Sequence, residues 1–127
     1  MATTNDIASD EAFTIERHGD VTVITATPAL EKLSFRLEEQ AAEMILEPIQ
    51  KQANPLIVFD LSRVNYFGSM FLALLIRTWK LASAHGGSMA ISGVTANTRE
   101  LLRVTALDIV WPIYDTRNEA VEALSLD

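Results

Sequence analysis

The stretch Leu56-Ile-Val-Phe-Asp-Leu-Ser-Arg-Val-Asn-Tyr-Phe-Gly-Ser-Met-Phe-Leu-Ala-Leu-Leu75 decides the fold of this 127-residue chain. Its first four residues form a continuous apolar run, which is typical of a strand buried on both faces in the middle of a sheet. After a polar linker, apolar residues with helical spacing predict a helix from Ser69 to His85. Gly86-Gly87 ends this helix, because glycine readily adopts the left-handed conformation common at helix ends. The stretch therefore predicts a strand, a loop and a helix, with Ser69 at the helix start.

Upstream of this unit, the pattern predicts a β-hairpin followed by a helix. Phe13–Glu16 alternates apolar and polar residues, and Val21–Thr25 is rich in β-branched residues. The turn residues His18-Gly19-Asp20 lie between these two strands. From Leu30 onward, apolar residues recur every three or four positions, which predicts an amphipathic helix. Pro48 should bend or end that helix near its last turn.

Two further strands and two further helices are predicted downstream. Two pairs of residues spaced three apart resemble capping boxes, in which side chain and backbone exchange hydrogen bonds at a helix start. A proline inside the last strand places that strand at an edge, because proline has no N–H to donate. The elements are a strand at Met89–Ile91, a helix opened by Asn97 and Glu100 and ending near Thr105, a strand at Ile109–Tyr114 containing Pro112, and a helix opened by Thr116 and Glu119.

The element order β-β-α-β-α-β-α-β-α predicts an α/β fold. Alternating strands and helices imply a mostly parallel five-stranded sheet with an antiparallel edge hairpin and four helices. Residues 12–127 should form a single domain, since about 100–200 residues are typical of one. Residues 1–11 are predicted to be a disordered N-terminal tail.

No segment of the sequence is typical of a membrane or export signal. The longest strictly apolar run, Met70–Ile76, is much shorter than the roughly 20 residues that a spanning helix needs. The N-terminus has no cationic start followed by an apolar core, so it does not resemble a signal peptide. We therefore expect a cytoplasmic protein that binds no membrane.

Composition disfavours several classes of function. Seventeen acids against ten bases give a formal net charge of −7, whereas broad nucleic-acid binding needs a dominant basic surface. The absence of cysteine excludes disulfides and thiolate sites. No glycine-rich phosphate-binding motif is present, and neither His18 nor His85 has a histidine partner at metal-binding spacing. We expect no cofactor and no metal.

Ser69 is the residue most suited to a regulatory role. At a helix start its hydroxyl can cap free backbone N–H groups, and a phosphate on it would meet aligned donors at the positive helix end. A simple capping serine is the alternative. A third possibility is a small-molecule binder or hydrolase built around Ser69. Its surroundings, Phe67-Gly68-Ser69-Met70-Phe71, lack the G-x-S-x-G pattern of a nucleophile elbow.

The sequence resembles the STAS domain family over about residues 13–124. The resemblance is carried by the stretch quoted above together with His85-Gly-Gly-Ser-Met-Ala-Ile-Ser-Gly-Val, Val104-Thr-Ala-Leu-Asp and Pro112-Ile-Tyr-Asp. Nearest in organisation are the soluble anti-sigma factor antagonists of bacteria, which are regulators rather than enzymes. The resemblance implies that Ser69 is phosphorylated by an anti-sigma factor that is also a serine kinase. The unmodified form would bind this kinase and free the sigma factor.

The chain departs from the family pattern around this serine. The family usually has an acid, a serine, a second hydroxyl residue and a glycine here, where this chain has Gly68-Ser69-Met70-Phe71. The family's acidic residue after the second strand is also missing from Thr25-Ala-Thr-Pro28. These differences support an alternative. The chain would be a STAS scaffold with a degenerate switch site that is not phosphorylated, and it would act in a larger signalling assembly.

Several residues near Ser69 are candidates for contact with a protein partner. The inward arc of the helix is predicted to hold Leu72, Leu75, Ile76 and Trp79. This arc leaves Met70 or Phe71 exposed beside Ser69 and Gly68, unless both extend the buried stripe. Apolar residues of these types are enriched in interface cores. Arg99 and Arg103, one turn apart on the third helix, are predicted to flank the same surface, with a solvated face as their alternative.

Overall fold

Five strands form one sheet in the computed structural model, which describes residues 12–32 and 35–125. They are β1 (Phe13–His18), β2 (Val21–Ala26), β3 (Leu56–Asp60), β4 (Ser88–Ser92) and β5 (Ile113–Tyr114). They follow chain order across the sheet; β1 and β2 pair antiparallel, and the remaining neighbours pair parallel. This arrangement confirms the predicted mostly parallel sheet with an antiparallel edge hairpin. The predicted tail, residues 1–11, lies outside the described residues.

The helices surround this sheet. Within the described residues they are a 3-10 helix (Pro28–Lys32), α1 (Phe35–Gln50), α2 (Ser69–Ala84), α3 (Ala96–Val104), α4 (Leu107–Val110) and α5 (Arg117–Ser125). The start of the predicted first helix forms the 3-10 helix, and α1 is described from Phe35 onward. Pro48 lies inside α1, two residues before its end, as expected of a proline in the last turn. In this part of the chain, no helix combines the length and apolar character needed to cross a membrane.

The predicted last strand was too long. Ala106 adopts a left-handed conformation with φ of 62°, and residues 107–110 then form the short helix α4 instead of strand. The Thr105 hydroxyl supports this turn by donating a hydrogen bond to the Leu101 carbonyl at 2.9 Å. Strand β5 has only the two residues that follow Pro112, and it lies at the sheet edge, where the proline predicted it.

One of the two predicted capping boxes was wrong. Helix α3 is capped by Thr95, whose hydroxyl accepts from the Thr98 N–H at 3.2 Å, while the Thr98 hydroxyl accepts from the Thr95 N–H at 2.9 Å. Two threonines thus replace the predicted Asn97 and Glu100. The box at α5 is as predicted, since Thr116 and Glu119 exchange two hydrogen bonds of 3.1 Å.

The core lies on both faces of the sheet and is larger on one of them. On the larger face, Phe71 of α2 stacks on Phe13 at 5.9 Å between ring centroids, and it makes edge contacts with Phe59 and Phe67. The other face is covered by α5, which packs a smaller cluster. This smaller cluster consists of Val21, Val23, Val58, Ala90, Ala120 and Leu124.

A polar network at the carboxyl ends of the parallel strands fixes the start of α5. Asp60 ends β3 in register with Thr25, and its side chain is buried. The Arg117 Nε donates to Asp60 Oδ2 at 2.9 Å, and Arg117 Nη2 donates to Thr25 Oγ1 at 3.0 Å. The backbone N–H of Ser62 donates to the other Asp60 oxygen at 2.8 Å. A buried carboxylate is tolerated here because it is paired and hydrogen-bonded.

Replacing Arg117 with Met tests how much this network stabilises the fold. The change leaves the Asp60 carboxylate buried with the Ser62 N–H as its remaining described partner. We therefore expect the free energy of unfolding to fall by about 2–3 kcal/mol. Arg103→Met is the matched control; it removes an arginine from an exposed pair with Glu100 and should cost much less. Urea unfolding measures both, and equal losses would contradict the prediction.

Candidate functional site

Ser69 is exposed at the point where the chain leaves the sheet and begins α2. The N-cap is Gly68, in an extended conformation, so Ser69 is the first helical residue and not the cap that the sequence predicted. The glycine offers no side chain to the helix start. Among the described residues, the Ser69 hydroxyl makes no hydrogen bond to protein, so it is free to react or to bind.

Gly68 leaves open space at this position. A Cβ built on it would meet no other atom within 4 Å, and its φ of −100° is accessible to any residue. The glycine is therefore not required by packing or by backbone conformation. An acidic residue of the kind the family carries would fit here without strain.

The loop that delivers Ser69 is held from two sides. On one side, Glu31 of the 3-10 helix accepts a hydrogen bond from the Asn65 N–H at 3.1 Å. On the other side, the Thr95 hydroxyl that caps α3 lies 3.5 Å from the Val64 carbonyl, to which it donates. Val64 itself is fully buried. The loop is thus fixed by its neighbours at a site where its own backbone makes few regular hydrogen bonds.

A shallow depression surrounds the serine. It is lined by Leu30, Glu31, Tyr66, Gly68, Ser69, Met70 and Phe71. Two of these residues were missed by sequence reasoning. Tyr66 lies in the segment predicted as a linker and is 55% exposed. Glu31 falls within the predicted first helix, and the 3-10 turn brings it to the depression. The signal for Tyr66 in the sequence was its position, because an aromatic residue three positions before the serine can lie on the same surface.

Phe71 is not available to a partner, and its assignment to the docking surface was wrong. Its side chain is 1% exposed and lies within the aromatic cluster of the core. Met70 is half-buried. The buried arc of α2 is therefore rotated from the predicted one, because the helix contacts α1 as well as the sheet. Its buried members are Phe71, Leu74, Leu75, Thr78 and Ala82, whereas Leu72, Ile76 and Trp79 are only partly buried.

Arg99 and Arg103 do not line the depression around Ser69. Both are exposed on α3, which supports the alternative of a solvated face. Arg103 forms two hydrogen bonds with Glu100, of 2.9 and 2.6 Å. These hydrogen bonds and the arginine charge lower the pKa of Glu100.

The two histidines lie far from Ser69. His18 ends β1 beside Val21, the first residue of β2, whereas Ser69 follows the carboxyl end of β3. His85 follows the last residue of α2, and sixteen helical residues span about 24 Å. Neither ring can act as a base for the serine. Within residues 12–32 and 35–125, no group of three acids or histidines converges to hold a metal ion.

Comparison with known proteins gives one consistent family. The model of the STAS domain matches residues 12–120. The anti-sigma F factor antagonist of Paenibacillus polymyxa is 27% identical over 116 residues, which cover 88% of this chain and 93% of that protein. A solved anti-sigma-factor antagonist (STAS) domain protein from Planctomyces limnophilus is 33% identical, with a TM-score of 0.79 over 89% of this chain and 97% of its own. The unphosphorylated form of the anti-sigma factor antagonist SpoIIAA shares the fold at 19% identity, with a TM-score of 0.77 over 91% of this chain and 98% of its own.

The opposite environments of Phe71 and Met70 give a direct test of which residue belongs to the core. Phe71→Ala removes a buried ring from the aromatic cluster and should lower the free energy of unfolding by about 3–4 kcal/mol. Met70→Ala, its half-buried neighbour, should cost clearly less. Chemical denaturation of the two variants is the measurement. A larger loss of stability for Met70→Ala would show that the buried face of α2 has been assigned incorrectly.

Proposed function

This chain belongs to the STAS domain family and resembles its anti-sigma factor antagonists, and we propose that it binds an anti-sigma factor that is also a serine kinase. Phosphorylation of Ser69 ends this binding. The protein acts by contact in the cytoplasm and catalyses no reaction itself. The observation that carries the proposal is the exposed Ser69 hydroxyl, which has no hydrogen bond among the described residues and stands at the first position of a sixteen-residue helix.

The start of α2 suits a phosphate for electrostatic reasons. The first backbone N–H groups of a helix have no partner within it, and the cap at Gly68 supplies no side-chain acceptor. The first turn of α2 carries no acidic residue that would compete for these donors. A phosphate on Ser69 would therefore meet unpaired N–H groups and the positive end of the helix dipole.

The same phosphate would oppose docking of a partner. The proposed contact surface consists of Tyr66, Gly68, Ser69 and Met70, and a phosphate of nearly −2 would stand in its middle. A buried charge without a partner costs several kcal/mol, and about 3 kcal/mol already weakens binding more than a hundredfold. Glu31 adds a negative charge to the same depression. An interface of micromolar affinity would be lost.

A second candidate is a scaffold whose serine is never phosphorylated. It is favoured by Gly68 and Met70, which stand where the family usually has an acid and a second hydroxyl. Incubation with ATP and a purified anti-sigma factor kinase from the same genome distinguishes the two candidates. The gain of one phosphate in the intact mass, absent from Ser69→Ala, supports the switch. An unchanged mass with binding retained supports the scaffold.

Charge at Ser69 should control affinity for the anti-sigma factor. Ser69→Asp is expected to weaken binding more than tenfold, because its carboxylate carries part of the charge of a phosphate. Ser69→Ala should bind as the unmodified protein does and should resist inactivation by ATP. Ser83→Asp is the control, since it adds the same charge at an exposed position near the other end of α2. Isothermal titration calorimetry measures all four proteins. Equal affinities for Ser69→Asp and Ser69→Ala would reject the switch.

Tyr66 should contribute strongly to the same interface. Exposed tyrosines at interface centres often contribute more than 1 kcal/mol, so Tyr66→Ala should weaken binding about fivefold or more. Ile15→Ala is a suitable control, because Ile15 is also a partly exposed apolar residue but lies on the edge strand β1. The melting temperature of each variant shows whether the fold is retained. Loss of affinity in both variants would contradict a localised contact surface.

A further inference from the structure

The amino half of β4 has an open edge on the side of β5, because β5 pairs only with the last two residues of β4. The Ser88 N–H donates to the Pro55 carbonyl on the β3 side at 2.9 Å, whereas the Ile91 N–H donates to the Pro112 carbonyl on the β5 side at 2.9 Å. Successive residues of a strand with two neighbours bond to opposite sides. The N–H and carbonyl of Met89 therefore point toward the β5 side, as those of Ile91 do.

The Met89 backbone has no partner at this edge. Ile91 lies in register with Ile113, so the residue placed to donate to the Met89 carbonyl is Pro112, which has no N–H. Within residues 12–32 and 35–125, the Met89 N–H likewise meets no backbone acceptor on this side. Met89 is only 4% exposed, and buried backbone groups are nearly always hydrogen-bonded. Its N–H and carbonyl are therefore suited to bind a molecule that lies beside β4.

A groove of about 430 Å³ lies where β5 would continue, and Met89 lines it. We call it the β4 groove. Its walls come from both faces of the sheet, with Trp79 of α2 on one side and Leu124 of α5 on the other. Val110 and Pro112 complete its lining near β5. An extended peptide suits this shape, because it can pair with the strand edge while alternate side chains pack toward the two faces.

An acidic depression of about 460 Å³ adjoins the β4 groove, and the two share Tyr114 and Ala123. Its charged lining residues are Asp115, Glu119 and Glu122. No lysine or arginine of the described chain lines either depression. The Glu119 carboxylate is engaged in the capping box of α5. Asp115 and Glu122 are exposed and form no ion pair or hydrogen bond among the described residues, so both can pair with a cationic ligand.

These charges indicate which peptide fits. Unpaired carboxylates beside an apolar groove complement a segment that carries apolar residues and, a few positions away, lysine or arginine. Residues 1–11 of this chain hold three acids and no base, so they do not complement the site. The occupant is therefore sought in another protein.

We propose that the β4 groove binds an extended basic peptide of another protein, which pairs with Met89 as an added strand. Apolar side chains of the peptide pack against Trp79 and Leu124, and its basic side chains pair with Asp115 and Glu122. The groove lies at the amino end of β4, whereas Ser69 follows the carboxyl end of β3, so the peptide leaves Ser69 uncovered. This inference does not depend on the proposed function.

Two matched peptides test the site by nuclear magnetic resonance on the full chain. The probe is acetyl-Lys-Val-Lys-Val-Lys-Val-amide, which combines strand-forming valine with positive charge, and the control has glutamate in place of lysine. The lysine peptide should shift the Met89 amide signal with a Kd below about 1 mM, and the glutamate peptide should bind at least about tenfold more weakly. Hydrogen exchange of the Met89 amide should slow on binding, because its N–H gains a partner. An unchanged Met89 signal, or equal affinity for the two peptides, would overturn the proposal.

Variants locate the binding surface. Val110→Arg adds bulk and positive charge to the wall of the β4 groove and should weaken the lysine peptide at least about tenfold. Val104→Arg is the control, since Val104 is also an exposed valine but does not line the groove, and it should bind as the unmodified protein does. Circular dichroism shows whether both variants are folded. Equal effects of the two variants would overturn the proposal.

Charge reversal tests the acidic end of the site. Asp115→Lys combined with Glu122→Lys should weaken the lysine peptide and strengthen the glutamate peptide, because the depression changes sign. Unchanged affinity for both peptides would overturn the assignment of these carboxylates. Binding of an anti-sigma factor at Ser69 should be unaffected by Val110→Arg, which keeps this test separate from that of the switch.

Discussion

The burial of β3 on both faces is the constraint on which the rest of the structure depends. Because β3 pairs parallel with both β2 and β4, the chain must leave at its carboxyl end and cross over as a helix before β4 begins. This requirement places the start of α2, with its unpaired N–H groups, at the carboxyl edge of the sheet. Gly68 and Ser69 occupy that edge as a direct consequence. The exposure of the serine therefore follows from the same apolar run that builds the centre of the core.

Sequence patterns were sufficient for features that depend on local spacing. The five strands, their mostly parallel arrangement and the capping box of α5 follow from periodicity, turn residues and element order. Features that depend on which neighbour a helix meets were not predictable in this way. The phase of α2 is set by contact with α1 as well as with the sheet, and this contact buries Phe71 rather than Met70. Similarly, α4 depends on the left-handed conformation of Ala106, which is unfavourable for alanine and so is not expected from the sequence.

Spatial proximity also changes how the missing acids near Ser69 are understood. In sequence, neither Gly68 nor the segment after β2 supplies the carboxylates that the family usually has there. In the structure, Glu31 lines the depression around Ser69 and holds the loop through the Asn65 N–H. The site therefore contains a carboxylate, supplied by a 3-10 turn that helical periodicity did not indicate. A phosphate at Ser69 would add to this charge, so repulsion within the depression would act together with the desolvation cost at the interface.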